Sequence, residues 1–389
     1  MLRRRIGIRV AIVCLLAIAS AACPRETPLD LGRAERVADG VSLYRLTEAR
    51  ALGVDGPIAV QLLRLDPSKV VLQSALAQGR AMALETVPDL AARTRAIAAV
   101  NAGFFVVRNG DPAGLLEVGD ELVSDSDLAR GAVGIVRERG RPARLLFDRV
   151  TASMTLRFSA GGAAYDAAVD GVDTTRVRGK LMLYTPSYGP DSDTAPAGVE
   201  WQLAGRPPRV TATHADAGKT PIPRDGAVLS YGGTVLPAAL EKLTVGQAVS
   251  LETTFRTSLG TTPAAWAGAI DIVGGAGLIV HKGAAVTDWS EERLRDGFTT
   301  ERHPRTMIGT ARNGTIWLVT VDGRNPRVSL GMTFADLLRL AKGLNLQYAL
   351  NLDGGGSTTM VVRGQVMNHP SDVTGPRRVS DALIVTAKN

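Results

Sequence analysis

The chain of 389 residues sets 45 Lys and Arg against 38 Asp and Glu, is 45% hydrophobic and 21% charged, and holds 42 glycines and two cysteines. That balance belongs to a folded protein, long enough for one large domain or two ordinary ones. The formal +7 rests largely on Arg3, Arg4, Arg5 and Arg9; beyond residue 22 the count is 41 against 38, which disfavours a nucleic-acid binder, and two cysteines exclude a disulfide scaffold or a four-thiolate zinc site.

Residues 1–22 have the layout of a signal peptide: a cationic start, an apolar run from Val10 to Ala19, and small residues before Cys23. Ser20-Ala21-Ala22-Cys23 resembles a lipobox, with Ser20 in place of the usual larger aliphatic residue, so Cys23 is a candidate for lipidation. Export to the periplasm or outer surface as a lipoprotein follows, with membrane contact only through that anchor. Residues 23–40 are polar, with two prolines, and read as a tether.

Next come two β-type runs, Ile58–Leu65 and Val70–Leu76, which flank Asp66-Pro67-Ser68-Lys69 and predict a hairpin. Thr86, followed by Pro88 and Asp89, predicts a helix start. Ala96–Val100 reads as a buried strand that stops at Asn101. Residues 140–262 are rich in β-type runs and turns and read as a β-rich subdomain or insertion. Thr315–Val321 is a strand stopping at Asp322. Thr333 caps a helix whose apolar stripe includes Phe334, Leu337, Leu338 and Ala341, and Tyr348–Leu352 is the next strand, stopping at Asp353-Gly354-Gly355-Gly356. The expected fold class is α+β, with mixed sheets and a β-α-β unit of two parallel strands near the C-terminus.

In such a unit Asp322 and Asp353 fall on one sheet edge, where ligands of α/β sheets bind. Asn101 ends its strand in the same way. Arg305, Arg324, Ser357 and Thr358 are near in sequence. Carboxylates, guanidinium groups, hydroxyls and exposed backbone N–H groups together suit a sugar joined to a phosphate. Blander readings apply residue by residue. Asp-Gly after a strand is commonly a turn, and three glycines permit a tight connection. No Gly-Lys-Ser/Thr follows them, so this is not a P-loop. His303 and His369 read as hydrogen-bonded loop residues, Arg377-Arg378 as solvated or ion-paired surface, and Phe104-Phe105 as core. No metal-ligand spacing stands out and no cofactor is evident, although a divalent cation stays an open alternative.

Asn101-Ala102-Gly103-Phe104-Phe105, Ile272-Val273-Gly274-Gly275, His303-Pro304-Arg305-Thr306, Val321-Asp322-Gly323-Arg324, Leu350-Asn351-Leu352-Asp353-Gly354-Gly355-Gly356-Ser357-Thr358-Thr359 and a tail of Asn368-His369-Pro370-Ser371-Asp372 with Arg378-Val379-Ser380-Asp381 follow in this order. The series resembles the phosphodiester glycosidase family, bacterial relatives of the mannose-6-phosphate uncovering enzyme, over roughly residues 85–389. It departs at Ala102 and at Gly275-Ala276-Gly277, both small-for-small changes. The resemblance implies a phosphodiester glycosidase-like domain over 41–389 that hydrolyses a sugar-1-phosphate diester to free sugar and a phosphomonoester. It implies Asp353 as nucleophile or base with Asp322 as partner carboxylate, Arg305 and Arg324 on the phosphate, and Asn101, Asn351, Gly354, Gly355, Ser357 and Thr358 as the remaining substrate contacts. The partner would be a sugar-phosphate diester or envelope glycan. Two alternatives stand beside this: a non-catalytic glycan- or peptidoglycan-binding protein, and a metal-assisted phosphodiesterase.

Overall fold

The computed structural model describes residues 29–233 and 235–388, so residues 1–22 and Cys23 lie outside the described residues. The chain is mostly β, built from antiparallel sheets.

An eight-stranded sheet carries the C-terminal motifs. Its order is Glu35–Ala38, Val41–Leu46, Val60–Leu65, Ile316–Val321, Arg305–Ala311, Leu346–Asn351, Leu278–His281 and Ala284–Ala285. One face packs on a five-stranded sheet that contains Ala98–Asn101, Asp381–Ala387 and Val70–Leu76, through a core with Leu43, Leu63, Val100, Leu318 and Leu383. The other face is covered by helix Phe334–Gly343, which sets Phe334, Leu337, Leu340 and Ala341 against Leu62, Met307 and Val319. Thr333 caps that helix in a reciprocal pair with Asp336, as its sequence predicts. Such a cap stabilises a helix by about 1 kcal/mol.

Two expectations change here. Ile316–Val321 and Leu346–Asn351 flank the helix in sequence and run the same way, yet they do not pair, because Arg305–Ala311 lies between them, antiparallel to both. All six residues of Ile316–Val321 are buried because sheet and helix cover both faces. A strand buried on both sides reads as a continuous apolar run, the signature otherwise typical of parallel sheets. The α+β expectation therefore gives way to a mostly β chain. The turn at 66–69 does form, with Lys69 N–H donating to Asp66 C=O at 3.0 Å. It joins no hairpin: Val60–Leu65 pairs with Val41–Leu46, whereas Val70–Leu76 crosses into the second sheet beside Asp381–Ala387.

Within residues 140–262, the long strand Arg144–Ala160 pairs with Val249–Thr257 and also with Ser126–Val136, which precedes the segment. A further five-stranded sheet, from Gly171–Val172 to Gly226–Tyr231, packs on it through Leu156, Phe158, Trp201 and Leu229.

Candidate active site

Four segments meet at the edge where Ile316–Val321 and Leu346–Asn351 end: residues 303–305, 322–324, 353–358 and 368–377. Gly355 N–H donates to Pro304 C=O at 2.9 Å, and Asn368 Nδ2 donates to both Thr358 C=O at 3.0 Å and Asp322 Oδ1 at 3.1 Å. Asp322 and Asp353 are thus brought to one rim.

Asp353 is the carboxyl that faces it. Its Oδ1 accepts from Gly354 N–H at 2.9 Å, and its backbone N–H donates to Ala102 C=O. Burial pushes its pKa up to about 6; Ser357, Gly354 N–H and Arg377 pull the other way, and Asp381 adds to the rise. Ser357 is fully buried, and its hydroxyl makes no hydrogen bond of good geometry, although it lies near enough to favour the ionised carboxyl. Asp381, also buried, accepts from Gly103 N–H at 2.7 Å and Ser380 Oγ at 2.6 Å, and burial raises its pKa.

The glycines bring backbone close to charge. A Cβ on Gly354 would stand 2.7 Å from Pro304 O. Gly355 has φ +62°, and a Cβ there would meet Arg324 Nη2 at 3.0 Å. The exposed Arg324 guanidinium therefore lies over the loop that follows Asp353, without a hydrogen bond or ion pair among the described residues. Arg377 sits beyond Gly356, held by Asp372 at 2.8 and 3.1 Å. That is the ion-paired surface its sequence suggests.

Asp322 is 2% exposed and its oxygens are fully engaged. Oδ1 accepts from Asn368 Nδ2 and His369 N–H; Oδ2 accepts from Gln61 Nε2 at 3.4 Å and faces His369 Nδ1 at 3.1 Å. With Nδ1 held by the carboxylate, the proton of a neutral ring sits there and Nε2 carries the lone pair. The His369 side chain is 69% exposed, and Nε2 makes no hydrogen bond among the described residues.

Residues 204–386 match the phosphodiester glycosidase family. A stretch of 87 residues is 34% identical to N-acetylglucosamine-1-phosphodiester alpha-N-acetylglucosaminidase of Bos taurus, covering 21% of this chain and 16% of that enzyme. The chain is thus matched to far less than two thirds of that relative's length. The fold is similar to a hypothetical protein from Synechocystis, at 25% identity and TM-score 0.73, over 90% of this chain and 63% of that one. It is also similar to a protein from Burkholderia pseudomallei K96243 described, by assignment, as exported, at 25% identity and TM-score 0.71, over 85% and 74% of the two chains. Among the described residues no helix is long and apolar enough to cross a membrane.

Several residues read as substrate contacts are committed elsewhere. Arg305 is 2% exposed, and its guanidinium donates to the carbonyls of Met332, Phe298 and Glu301 at 2.8–3.0 Å. Phe298 and Phe334 flank it at 5.2 and 5.1 Å, and burial lowers its pKa to about 10. A guanidinium so engaged does not grip phosphate, so Arg305 holds the 298–301 segment against the helix. Asn101, fully buried, donates to Asp353 C=O at 2.6 Å and accepts from Thr306 Oγ1 and Thr359 N–H. It lies outside the matched stretch in sequence, yet it fixes the backbone of Asp353. Asn351 gives Nδ2 to the carbonyls of Ala276 and Leu352, and Thr358 is 1% exposed. Both support the loop from beneath.

His369 is a hydrogen-bonded loop residue, as its sequence suggests, but neither its partner Asp322 nor a place for Asp381 at the rim was read from the sequence. The signal for both was the tail itself, Asn368-His369 and Ser380-Asp381, which returns to the rim through contacts that span 47 and 278 residues.

Proposed function

We propose that the protein hydrolyses the glycosidic bond of a sugar-1-phosphate diester, releasing free sugar and a phosphomonoester. The supporting observation is the grouping at one rim of a half-buried carboxyl, Asp353, an unengaged guanidinium, Arg324, and a carboxylate-oriented imidazole, His369, within the family-matched stretch.

The leaving phosphomonoester is a weak base, so anion stabilisation carries more of the barrier than proton donation does. Arg324 supplies that stabilisation over the glycine loop. Asp353, ionised, attacks the anomeric carbon or activates the water that does so. In the first case the Nε2 lone pair of His369 takes the proton of the water that releases the sugar from Asp353; in the second Asp353 takes the proton of the attacking water and the phosphomonoester leaves as its anion. Asp322 is a positioning residue for His369 rather than a carboxylate at the sugar, since it is buried and all its oxygens are engaged. Arg324→Ala should lower kcat/KM on a sugar-phosphate diester by about 10–100-fold, with kcat falling as well as KM rising, and Arg324→Lys should recover part of it. Steady-state kinetics checks this, and an unchanged kcat/KM would remove Arg324 from the phosphate.

The deciding assay incubates the purified protein with UDP-N-acetylglucosamine and with an alkyl phosphodiester of a sugar, in water enriched in heavy oxygen. Free sugar carrying the label supports carbon–oxygen cleavage. Label in the phosphate, with activity lost in EDTA, supports a metal-assisted phosphodiesterase, although no group of three His, Cys, Asp or Glu among the described residues is placed to hold a metal ion. Saturable binding without release identifies a glycan binder. Export, and lipidation at Cys23, belong to the same proposal.

A further inference from the structure

A second concavity lies away from the Asp353 rim. It holds about 1100 Å³ and is lined by the turn 310–316 together with Arg36, Arg64, Arg144 and Tyr348. Arg305–Ala311 and Ile316–Val321 each have one end at the rim and the other in this cavity. At about 3.4 Å per residue, the two places are some 20 Å apart along the strands.

The lining carries an excess of fixed positive charge. Arg36, Arg64, Arg144 and Arg312 stand against two carboxylates, Asp39 and Asp66. Both carboxylates are already engaged: Asp39 faces Arg36 at 3.8 Å and Lys69 at 3.5 Å, and Asp66 accepts from Ser68 N–H and Oγ, which lowers its pKa. Arg64 and Arg144 are exposed and make no side-chain hydrogen bond or ion pair among the described residues, while Arg312 has one long bond of 3.4 Å to Gln347. The trough continues past Arg64 and Arg312 into a second hollow of about 370 Å³ that reaches Trp317. Along its length Ser42, Thr310 and Asn313 offer hydroxyl and amide groups, and the Tyr348 ring is stacked on Phe147 at 5.4 Å and 7°.

We propose that this trough binds an anionic oligosaccharide whose sugar units carry phosphate or carboxylate. A compact ion would occupy a small part of the space, whereas a chain with repeated charges meets the spaced guanidinium forks, and sugar rings meet the hydroxyls and the aromatic face. The chain's own leader is not a fitting occupant, since Arg3, Arg4, Arg5 and Arg9 carry the same sign as the trough. A bilayer presents a flat surface, and the cationic groups here line a concavity. The site does not depend on turnover at Asp353.

The test is calorimetric titration of the whole protein with oligogalacturonate, with a sugar-phosphate oligomer, with neutral dextran and with inorganic phosphate. One or both anionic oligomers should bind, which identifies the charged group; dextran should not bind, and phosphate alone should bind at least tenfold more weakly. The double variant Arg64→Ala/Arg144→Ala should weaken oligomer binding about tenfold or more while keeping its melting temperature and wild-type release of sugar from a small phosphodiester. Binding unchanged in that variant, dextran binding as well as the acidic oligomers, or phosphate alone matching them would overturn the proposal. So would neither oligomer binding while anionic phospholipid vesicles capture the wild type and not the variant.

Discussion

Asp353→Asn should lower kcat/KM by about 10³-fold or more while the protein stays folded. The amide keeps an oxygen for Gly354 N–H and nearly the same volume, but it neither attacks carbon nor takes a proton. The wild-type rate should rise with pH through about 6, because both roles open to Asp353 require the ionised carboxyl and its pKa is pushed up to about 6. A rate that falls through the same range would make Asp353 a proton donor instead. Stability should respond in the opposite sense. Between the ordinary value of 3.8 and about 6 the unfolded chain has released this proton while the folded protein still holds it, so rising pH favours unfolding. The stability of the wild type relative to Asp353→Asn should therefore fall across that window and level off above it. Paired melts at pH 4, 5, 6 and 7 measure that difference directly. Wild-type turnover in Asp353→Asn would sink the assignment.

The rim was legible in the sequence because its chemistry begins where strands stop: Val100 then Asn101, Val321 then Asp322, Leu352 then Asp353. That logic survived an error in pairing, since two strands that run the same way place their ends on one edge whether or not a third strand separates them. Burial was not legible. Nothing in His303-Pro304-Arg305 shows that the guanidinium turns inward between Phe298 and Phe334 to meet carbonyls, because those rings come from elsewhere in the chain. The turn at 66–69 has the same local chemistry in a hairpin and in a crossing between sheets; the partner strands decide, and Val41–Leu46 and Asp381–Ala387 are distant in sequence. Asp322 was found as a polar stop, but its burial and its partners were not legible, since its donors, Gln61 and the 368–369 pair, lie far away in both directions.

His369→Ala and Asp322→Asn should each cost about 10²–10³-fold in kcat, and the double variant no more than the larger single loss. The reason is geometric. Nδ1 of His369 meets Asp322 Oδ2 and the backbone N–H meets Oδ1, so one carboxylate fixes both the ring and the chain that carries it. An amide at 322 turns one acceptor into a donor facing Gln61, Asn368 and His369, all of which donate, so the ring loses its orientation and the buried cluster loses partners. Asp322→Asn should therefore lower the melting temperature as well. His369→Ala should not, since that side chain is 69% exposed, and this separates catalysis from folding. If the two losses multiply in the double variant, the groups act independently and Asp322 is not the orienter. If His369→Ala keeps full activity with an unchanged pH profile, the imidazole transfers no proton in the reaction, and only the carboxyl of Asp353 and the guanidinium of Arg324 are left to carry the chemistry.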